Sequence, residues 1–347
     1  MISVLDHDFS QLNELISKLT PSKLFILCDE NTHEHCLPSL LGNLETTIPF
    51  EILEIEAGEE MKNIETAAQL WEILAEFQAD RKALMINVGG GVITDLGGFI
   101  ASTYKRGIKF INIPTTLLGM CDASIGGKTG IDHHFLKNIV GTFSMPEHIF
   151  VYPPYLKTLA YSELRSGFAE MLKHGLIADA KHWNALSSID TLTPDHIGPH
   201  IETSMKIKQN VVDVDFKEQN IRKNLNFGHT IGHAIESLFL QSEKSIPHGE
   251  AVAAGMICET YLASLEGLLT ESDSNEIISR ICTYYPKLDI EHFAMEDLLK
   301  LMINDKKNEE GKINFSLING VGTCVYDYKC SLENIISSIN FYKNAYK

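Results

Sequence analysis

The chain has 347 residues, of which 44% are hydrophobic, enough apolar side chains for the cores of two domains. Its 46 Asp and Glu residues outnumber 29 Lys and Arg, and the resulting net charge of −17 argues against nucleic-acid or anionic-membrane partners. The seven cysteines contain no Cys-x-x-Cys pair, and neither a signal-peptide pattern nor a membrane-spanning apolar run is present, so we expect a cytoplasmic protein with reduced thiols.

The first half of the chain alternates short β-rich segments with amphipathic ones. The β-rich segments are 23–28, 51–56, 83–88 and 109–113. Residues 63–77 carry the clearest helical pattern between them. Strands that alternate with helices are typical of a parallel sheet with crossover helices. We therefore predict a Rossmann-like, nucleotide-binding α/β domain over residues 1–158.

Beyond Pro153-Pro154 the β pattern fades and helical periodicity takes over. The helical segments are 162–178, 200–212, 228–240, 249–265 and 275–284. Residues 312–328 are an exception, because their apolar runs flank Asn319-Gly320 and predict a hairpin. Residues 159–347 are therefore expected to form a second, mainly α-helical domain.

Gly89-Gly90-Gly91 directly follows the strand predicted at 83–88 and precedes a helix predicted at 95–102. Glycines at a strand-to-helix turn allow backbone N–H groups to approach a phosphate, and the helix N-terminus adds a favourable partial charge. The same glycines also fit a tight turn without a ligand. The pattern is not Gly-x-Gly-x-x-Gly, so a standard Rossmann dehydrogenase is not indicated.

A second glycine-rich segment, Gly126-Gly127-Lys128-Thr129, resembles part of a P-loop. Asp122 occupies the position of the first P-loop glycine, so ATP binding is not expected. We expect Lys128 and Lys137 to lie on loops, where they either bind carboxylate or phosphate or are ordinary surface lysines.

Histidines in the second half indicate a metal site. His229 and His233 are four residues apart on one helix face, and His248 begins another helical segment. Upstream, Glu170 and Lys173 share a helix face. A lone histidine is more often a core or surface residue, but three with a carboxylate favour Zn²⁺ with open positions for substrate. The pattern is not His-Glu-x-x-His, which excludes that class of metalloprotease; we interpret 33–36 and 133–134 as surface.

The motifs, taken in order, resemble those of the 3-dehydroquinate synthases, a family of sugar-phosphate cyclases. The matching segments are 89–95, 104–107, 114–118, 126–129, 137–138, 167–173, 225–236, 248–250 and 305–307. The resemblance covers most of the chain from Gly58 onward. It implies an N-terminal nucleotide-binding α/β domain and a helical C-terminal domain.

The resemblance also implies a lyase that converts 3-deoxy-D-arabino-heptulosonate 7-phosphate to 3-dehydroquinate and phosphate. This reaction belongs to the shikimate pathway, which leads to chorismate and the aromatic amino acids. In it a hydroxyl is oxidised transiently by NAD⁺, phosphate is eliminated, the hydride is returned, and an intramolecular aldol step closes the ring. The implied cofactors are NAD and Zn²⁺ or Co²⁺, the substrate is an anionic sugar phosphate, and the assembly is a homodimer.

Residue roles follow from the resemblance by motif. It implies that Glu170, His229 and His248 bind the metal, while His233 faces the substrate phosphate. The residues implied for NAD are Asp29, Asn31, Glu59, Lys62, Gly90, Gly91, Val92, Asp95, Thr115, Thr116, Lys137 and Thr158, with Lys137 placed to contact both ligands. Those implied for the substrate are Arg106, Asp122, Lys128, Asn138, Lys173, Lys208, Arg222, Asn226, His233 and Lys306 or Lys307, with Arg106 reaching across the dimer interface.

The chain departs from the family pattern near Arg222, where Asn220-Ile221 replaces Gly-Leu and Phe216 replaces Glu.

Three other functions stay open from the residues alone. Another sugar-phosphate cyclase would use the same cofactors on a different sugar phosphate. An NAD- and metal-dependent polyol dehydrogenase would share the glycines and histidines but would not need Lys128, Arg222 or Lys306-Lys307, and a non-enzymatic binding protein would not need redox cofactor, metal and anion site together.

Overall fold

The computed structural model describes residues 1–133, 136–242, 244–303 and 313–344. The chain divides into two compact units, Met1–Ala160 and Tyr161–Lys347, which we describe separately. In the part of the chain that the structure describes, no helix is both long and apolar enough to cross a membrane.

The N-terminal unit is built on a parallel sheet. Its strands, together with those of a neighbouring hairpin, are β1 (Ile2–Val4), β2 (Leu24–Asp29), β3 (Phe50–Ile55), β4 (Leu84–Gly89), β5 (Lys109–Pro114), β6 (Lys128–His133), β7 (Leu136–Phe143) and β8 (His148–Val151). The sheet has the order β1-β8-β5-β4-β2-β3, and β6 pairs with β7 in the antiparallel hairpin. The predicted α/β fold class is confirmed, and the four predicted strands are each shifted by at most one residue at either end.

Strand order locates the place where this sheet can bind a ligand. From β2 the chain crosses to β3 on one side, whereas β4 lies on the other side of β2 and leads on to β5. In such doubly wound sheets, ligands bind outside the carboxyl ends of the strands at the point where the order reverses. That point lies beyond the ends of β2 and β4, which are Asp29 and Gly89.

Helices cover this sheet because its central strands are apolar on both faces. The helices are α1 (Ser10–Leu19), α2 (Glu30–His35), α3 (Leu37–Asn43), α4 (Ile64–Glu76) and α5 (Gly91–Thr103). Phe25, Leu27 and Met85 of the sheet are fully buried in one cluster with Ile93 and Leu96 of α5. This cluster fixes the start of α5 against the end of β4.

Two local predictions for this unit were wrong. Lys128 and Lys137 lie in β6 and β7 rather than on loops. Their strands escaped prediction because Gly130 in β6 and Gly141 in β7 interrupt the alternation of apolar and polar residues. His33 and His35 are exposed as predicted, whereas Cys36 is buried.

The C-terminal unit is mainly helical, as predicted. Its elements are α6 (Tyr161–Ala178), α7 (Ala180–Ser187), α8 (Pro194–Val214), α9 (His229–Gln241), α10 (His248–Leu265), α11 (Glu271–Tyr284), α12 (Met295–Ile303), β9 (Asn314–Gly320), β10 (Thr323–Lys329) and α13 (Leu332–Asn344). Strands β9 and β10 form the predicted antiparallel hairpin. Helix α10 is buried over most of its length and packs against α6, α9, α11 and α13. A helix that is apolar on all sides, as α10 nearly is, belongs at the centre of a bundle.

Candidate active site

Three ligand-type side chains of the C-terminal unit converge from α6, α9 and α10. Glu170 is fully buried within α6, while His229 and His248 are the first residues of α9 and α10. Glu170 Oε1 lies 3.4 Å from His229 Nε2 and 3.8 Å from His248 Nε2. Ligand atoms of a tetrahedral zinc ion are about 3.3 Å apart, given bonds of about 2.0 Å. The spacing therefore fits a metal ion between the three side chains.

Hydrogen bonds at the far side of each imidazole support this assignment. His229 Nδ1 lies 3.0 Å from the Phe227 carbonyl oxygen, which can only accept a hydrogen bond. His248 Nδ1 lies 3.1 Å from the Glu236 carboxylate. With the proton on Nδ1 in both rings, the Nε2 lone pairs point towards Glu170, as in metal sites whose histidines are oriented by carboxylates or carbonyls. Glu170 Oε1 has no hydrogen-bond partner among the described residues, which leaves it available as a ligand.

His233 lies beside the same group. Its ring centre is 5.0 Å from that of His229 and 5.7 Å from that of His248. A nitrogen of each of these three histidines lies within 4.8 Å of the others. Two alternative ligand sets therefore share His229 and His248, one completed by Glu170 and the other by His233.

Close helix packing sets the distances between these ligands. A Cβ atom at Gly255 of α10 would overlap the carbonyl oxygen of Gly228, immediately before α9. A Cβ atom at Gly249 would overlap the backbone of Ser166 in α6, whose hydroxyl accepts the Gly249 N–H at 3.0 Å. Because only glycine permits these approaches, the sequence itself brings the starts of α9 and α10 close to Glu170.

Buried cations accompany the predicted metal ligands. Lys173, one turn after Glu170 in α6, is only 1% exposed and forms an ion pair with Glu170 Oε2. Lys208 of α8 and Arg222 are also buried. Cations are buried only when charged or hydrogen-bonding groups compensate them. Their positions in one unit are consistent with the predicted anion site.

The Asp215 side chain forms hydrogen bonds with the backbone of the segment that carries Arg222. This carboxylate accepts backbone N–H groups of Gln219, Asn220 and Arg222 at 2.9, 2.6 and 3.1 Å. Burial alone would raise the pKa of Asp215, but these hydrogen bonds lower it below its usual value. Arg222 Nη1 donates to the Phe216 carbonyl oxygen at 2.6 Å. Phe216 and Asn220, two of the residues that depart from the family pattern, thus contribute through their backbone groups.

Asn226, at the end of the same segment, is held by a different carboxylate. Its Nδ2 donates to Glu218 Oε1 at 2.8 Å. Glu218 itself has a φ of 58°, a left-handed conformation. The strained backbone position in this segment is therefore Glu218, and Asn220, where glycine is usual, has a φ of −138°.

In the N-terminal unit, predicted NAD residues lie at the carboxyl ends of β2, β4 and β5. Asp29 ends β2 and caps α2, where its Oδ1 accepts the Thr32 N–H at 2.8 Å. Gly90 is the N-cap of α5, has no side chain to satisfy the helix N-terminus, and leads into partly exposed Gly91 and Val92. Helix α5 starts at Gly91 rather than at the predicted residue 95, so the glycines themselves supply the free helix end. Such an end can bind a pyrophosphate.

The segment after β5 packs against the glycine-rich turn between β4 and α5. The Thr115 N–H donates to the Gly89 carbonyl oxygen at 3.0 Å, and the Thr116 hydroxyl accepts the Gly119 N–H at 3.0 Å. A Cβ atom at Gly90 would lie only 2.8 Å from Thr116 Cγ2. Gly90 therefore lets Thr116 pack directly against the start of α5, which a residue with a Cβ atom would prevent.

Lys62 joins predicted cofactor and substrate residues. Its buried Nζ donates to Asp95 Oδ2 and to Asn138 Oδ1, both at 2.6 Å. Burial lowers the pKa of Lys62, but the nearby carboxylates of Asp95 and Glu59 outweigh this effect and raise it. Lys137 Nζ lies 3.9 Å from Glu59 Oε1. The structure therefore brings Glu59, Lys62, Asp95, Lys137 and Asn138 into one polar network.

Four other predicted residues lie in short helical segments. Arg106 is exposed and has a φ of 66°, and Asp122 lies in a short π-helical turn at 119–123. Asn31 is exposed in α2, and Thr158 Oγ1 donates to the Tyr155 carbonyl oxygen at 3.3 Å. Lys306, Lys307 and His134 lie outside the described residues.

The sequence patterns did not single out Glu236 and Glu259 as site residues. Glu236 could have been found, because it lies seven residues after His229 and three after His233, on the same face of α9. Glu259 gives no comparable signal, since its carboxylate contacts the backbone of another helix.

Comparison with known proteins identifies the family. Residues 52–166 match the family described as 3-dehydroquinate synthase N-terminal, and residues 167–308 match 3-dehydroquinate synthase C-terminal. The chain belongs to the 3-dehydroquinate synthase family. The 3-dehydroquinate synthase of Parabacteroides distasonis is 43% identical over 340 residues, which cover 97% of this chain and 96% of the relative. That of Leptospira interrogans is 37% identical over 341 residues, covering 97% and 93%.

Solved structures extend the comparison to related folds. A 2-epi-5-epi-valiolone synthase from Streptomyces hygroscopicus subsp. jinggangensis 5008, solved with NAD⁺ and Zn²⁺ bound, has a TM-score of 0.89 at 26% identity and covers 99% of this chain and 97% of its own. A 2-deoxy-scyllo-inosose synthase, solved with carbaglucose-6-phosphate, NAD⁺ and Co²⁺, has a TM-score of 0.83 at 24% identity, with coverages of 99% and 96%. A probable glycerol dehydrogenase from Sinorhizobium meliloti has a TM-score of 0.65 at 12% identity, with coverages of 99% and 97%. The last two establish a shared fold only.

Proposed function

We propose that the protein is a 3-dehydroquinate synthase, a lyase that converts 3-deoxy-D-arabino-heptulosonate 7-phosphate to 3-dehydroquinate and phosphate. The observation that carries the proposal is the convergence of Glu170, His229 and His248, beside the buried cation Lys173, in a chain of this family. The reaction would place the protein in the shikimate pathway of aromatic amino-acid biosynthesis.

The cofactors of the proposed reaction are NAD⁺ and Zn²⁺, with Co²⁺ as a substitute for zinc. When bound, NAD⁺ accepts and returns a hydride, and the metal ion polarises the substrate oxygens. Glu170, His229 and His248 would hold the metal, since their ligand atoms face one another. The uncapped start of α5 and the Thr115-Thr116 turn would bind the NAD pyrophosphate. A related synthase solved with NAD⁺ and Zn²⁺ supports this cofactor pair.

The protein's own contribution is largely substrate orientation. Arg222 would bind a substrate anion through its planar guanidinium, with Lys208 adding positive charge. Lys128, Asn138, Asn226 and His233 are proposed to complete the site, with His233 facing the phosphate. Holding the carboxylate, the phosphate and the oxidised carbon in one geometry lowers the barrier by positioning more than by proton transfer.

Lys173 would act at the metal side of the substrate. Its ammonium contacts Glu170, so it offsets the charge of this buried carboxylate. A cation here can also donate a hydrogen bond to a substrate hydroxyl, and so hold that hydroxyl towards the metal ligands.

Assembly and compartment also belong to this proposal. We propose a homodimer in which Arg106, exposed on a short turn after α5, contributes to the partner's substrate site. We further propose that the protein acts in the cytoplasm, which is consistent with seven cysteines that are all free thiols.

The main alternative is another sugar-phosphate cyclase, because solved enzymes of that kind share the fold. The decisive experiment supplies the purified protein, NAD⁺ and Zn²⁺ with the heptulosonate phosphate or with a seven-carbon sugar phosphate that lacks the carboxylate. We expect phosphate release and 3-dehydroquinate from the first substrate, and at most slow turnover of the second. Equal turnover of both would contradict a carboxylate site and assign the chain to the other cyclases.

A further inference from the structure

Glu259 is a fully buried carboxylate that the proposed reaction does not use. It lies in α10, eleven residues after His248, and its side chain is directed at the start of α9. Oε2 accepts the Gly228 N–H at 2.6 Å, and Oε1 accepts the Ile231 N–H at 3.0 Å. Because Gly228 has no side chain to cap α9, this carboxylate from another helix satisfies N–H groups at that end.

The Gly228 N–H belongs to the same peptide unit as the Phe227 carbonyl. That carbonyl oxygen accepts the hydrogen bond from His229 Nδ1 at 3.0 Å. A carboxylate that accepts from the N–H of a peptide increases the negative charge on the oxygen of the same peptide. The chain of contacts therefore runs from Glu259 through the Phe227–Gly228 peptide to the imidazole of His229.

His248 also has a carboxylate partner, but without a peptide group between the carboxylate and the imidazole. Its Nδ1 contacts Glu236 Oε2 directly at 3.1 Å. Each of the two histidines that face Glu170 thus has a carboxylate behind it, one in direct contact and one acting across a peptide. Such partners of metal-binding histidines fix the tautomer and make the ligating nitrogen a better donor.

We propose that Glu259 is a positioning residue that orients His229 and strengthens it as a metal ligand through the Phe227–Gly228 peptide. The inference rests on the proposed function, because it requires His229 to bind the metal. It assigns to Glu259 a role in metal affinity beyond that of a helix cap.

The test compares Glu259→Gln with Glu266→Gln, both in the full-length protein. The glutamine keeps one acceptor oxygen, which can face the Gly228 N–H, but it removes the charge and leaves an NH2 group where Oε1 accepts the Ile231 N–H. Glu266 is a matched control, since it lies at the carboxyl end of α10 and accepts from Asn334 Nδ2 at 2.9 Å. Zn²⁺ affinity is measured by chelator competition, and the Co²⁺-loaded proteins are compared by their visible spectra.

We expect Glu259→Gln to bind Zn²⁺ about 10- to 100-fold more weakly than the wild type and to show an altered Co²⁺ spectrum. Glu266→Gln should match the wild type in both. Zinc affinity of Glu259→Gln within threefold of the wild type would overturn the inference alone. His229→Ala with wild-type zinc affinity would overturn the proposed ligand set, and this inference with it.

A measurement on the wild type covers the case in which Glu259→Gln does not fold. Zinc ligation should make the His229 Nδ1–H a stronger donor to the Phe227 carbonyl, and the polarised peptide should then strengthen the Gly228 N–H bond to Glu259. The amide proton resonance of Gly228 is therefore expected to move downfield when zinc is added to the metal-free protein. A Gly228 resonance that does not move on zinc binding would contradict the peptide-mediated contact.

Discussion

Glu170 has an unusual environment for a carboxylate, since it is fully buried and its Oε1 has no hydrogen-bond partner among the described residues. The Lys173 ammonium contacts the other oxygen. A buried charge is costly unless a partner compensates it. A metal ion between Oε1 and the two imidazoles would compensate the charge of Glu170.

The ligand set can be tested by single replacements. Glu170→Ala, His229→Ala and His248→Ala should each lose bound zinc and activity, because each removes one ligand atom. His233→Ala should keep its zinc and lose turnover, since we place this ring at the substrate phosphate. Metal analysis of the purified variants checks both. Zinc lost from His233→Ala but kept by Glu170→Ala would favour the three-histidine set instead.

Arg222 is the second residue whose role can be isolated. Arg222→Ala should lower kcat/KM on the order of 100-fold or more, because a buried substrate anion loses its planar hydrogen-bonding partner. Arg222→Lys should also be impaired, since a point charge cannot replace the fork. Zinc content and NAD⁺ affinity, measured by metal analysis and calorimetry, should stay near wild type in both. Loss of either cofactor in Arg222→Lys would show that Arg222 supports the fold rather than the substrate.

At the scale of elements, the site depends on how closely α9 and α10 approach. Gly255 of α10 lies so close to the Gly228 carbonyl oxygen that a Cβ atom on residue 255 would overlap this oxygen. Because His229 and His248 begin these two helices, a change in their separation changes the distance between two ligands. Helix packing and metal affinity should therefore vary together.

Gly255→Ala tests this relation, with Gly42→Ala as the control. Gly42 is exposed within α3, and a Cβ atom there would meet no other atom within 4 Å, so its replacement should be neutral or slightly stabilising. Gly255→Ala should cost about 1–3 kcal/mol of unfolding free energy from overpacking, and should weaken zinc binding. Denaturant unfolding and chelator competition measure the two effects. Wild-type zinc affinity in a destabilised Gly255→Ala protein would contradict the relation.

Helices and strands could be predicted where the sequence has a strong apolar periodicity. They were harder to predict where contacts between distant segments determine the structure. The apolar runs of β2 and β4 and the helical face of α9 follow from the pattern of the chain itself. Hairpin β6–β7 was missed, because glycines within its strands hide its alternation. The site was predictable as far as residue types go, but the contacts of Glu236 with His248 and of Glu259 with a backbone N–H depend on how helices pack.

For the whole molecule, stability should depend on buried histidines. Burial, with smaller effects of His174 and His200, lowers the pKa of His182 to about 4 from its ordinary 6.5. Between these pH values the unfolded chain binds a proton that the folded protein does not, so the unfolding free energy falls as pH is lowered from about 6.5 to about 4. The loss from His182 alone is at most about 3 kcal/mol.

Replacement of His182 checks this pH dependence. The unfolding free energy of His182→Leu should fall less than that of the wild type between pH 6.5 and pH 4, when both are measured by denaturant titration. Equal pH dependence in the two proteins would show that His182 does not titrate in this range. His148, whose pKa is also lowered to about 4 by burial, should account for part of the remaining dependence.

In the proposed catalytic cycle, the hydride removed from the substrate returns to the same molecule. The most direct test gives the zinc-loaded protein an excess of the heptulosonate phosphate over NAD⁺, and follows phosphate and reduced nicotinamide together. We predict that phosphate release exceeds the NAD⁺ supplied many times over while the cofactor remains oxidised at completion. One NADH formed for each substrate consumed, with turnover ending when NAD⁺ is exhausted, would contradict the return of the hydride and favour a polyol dehydrogenase.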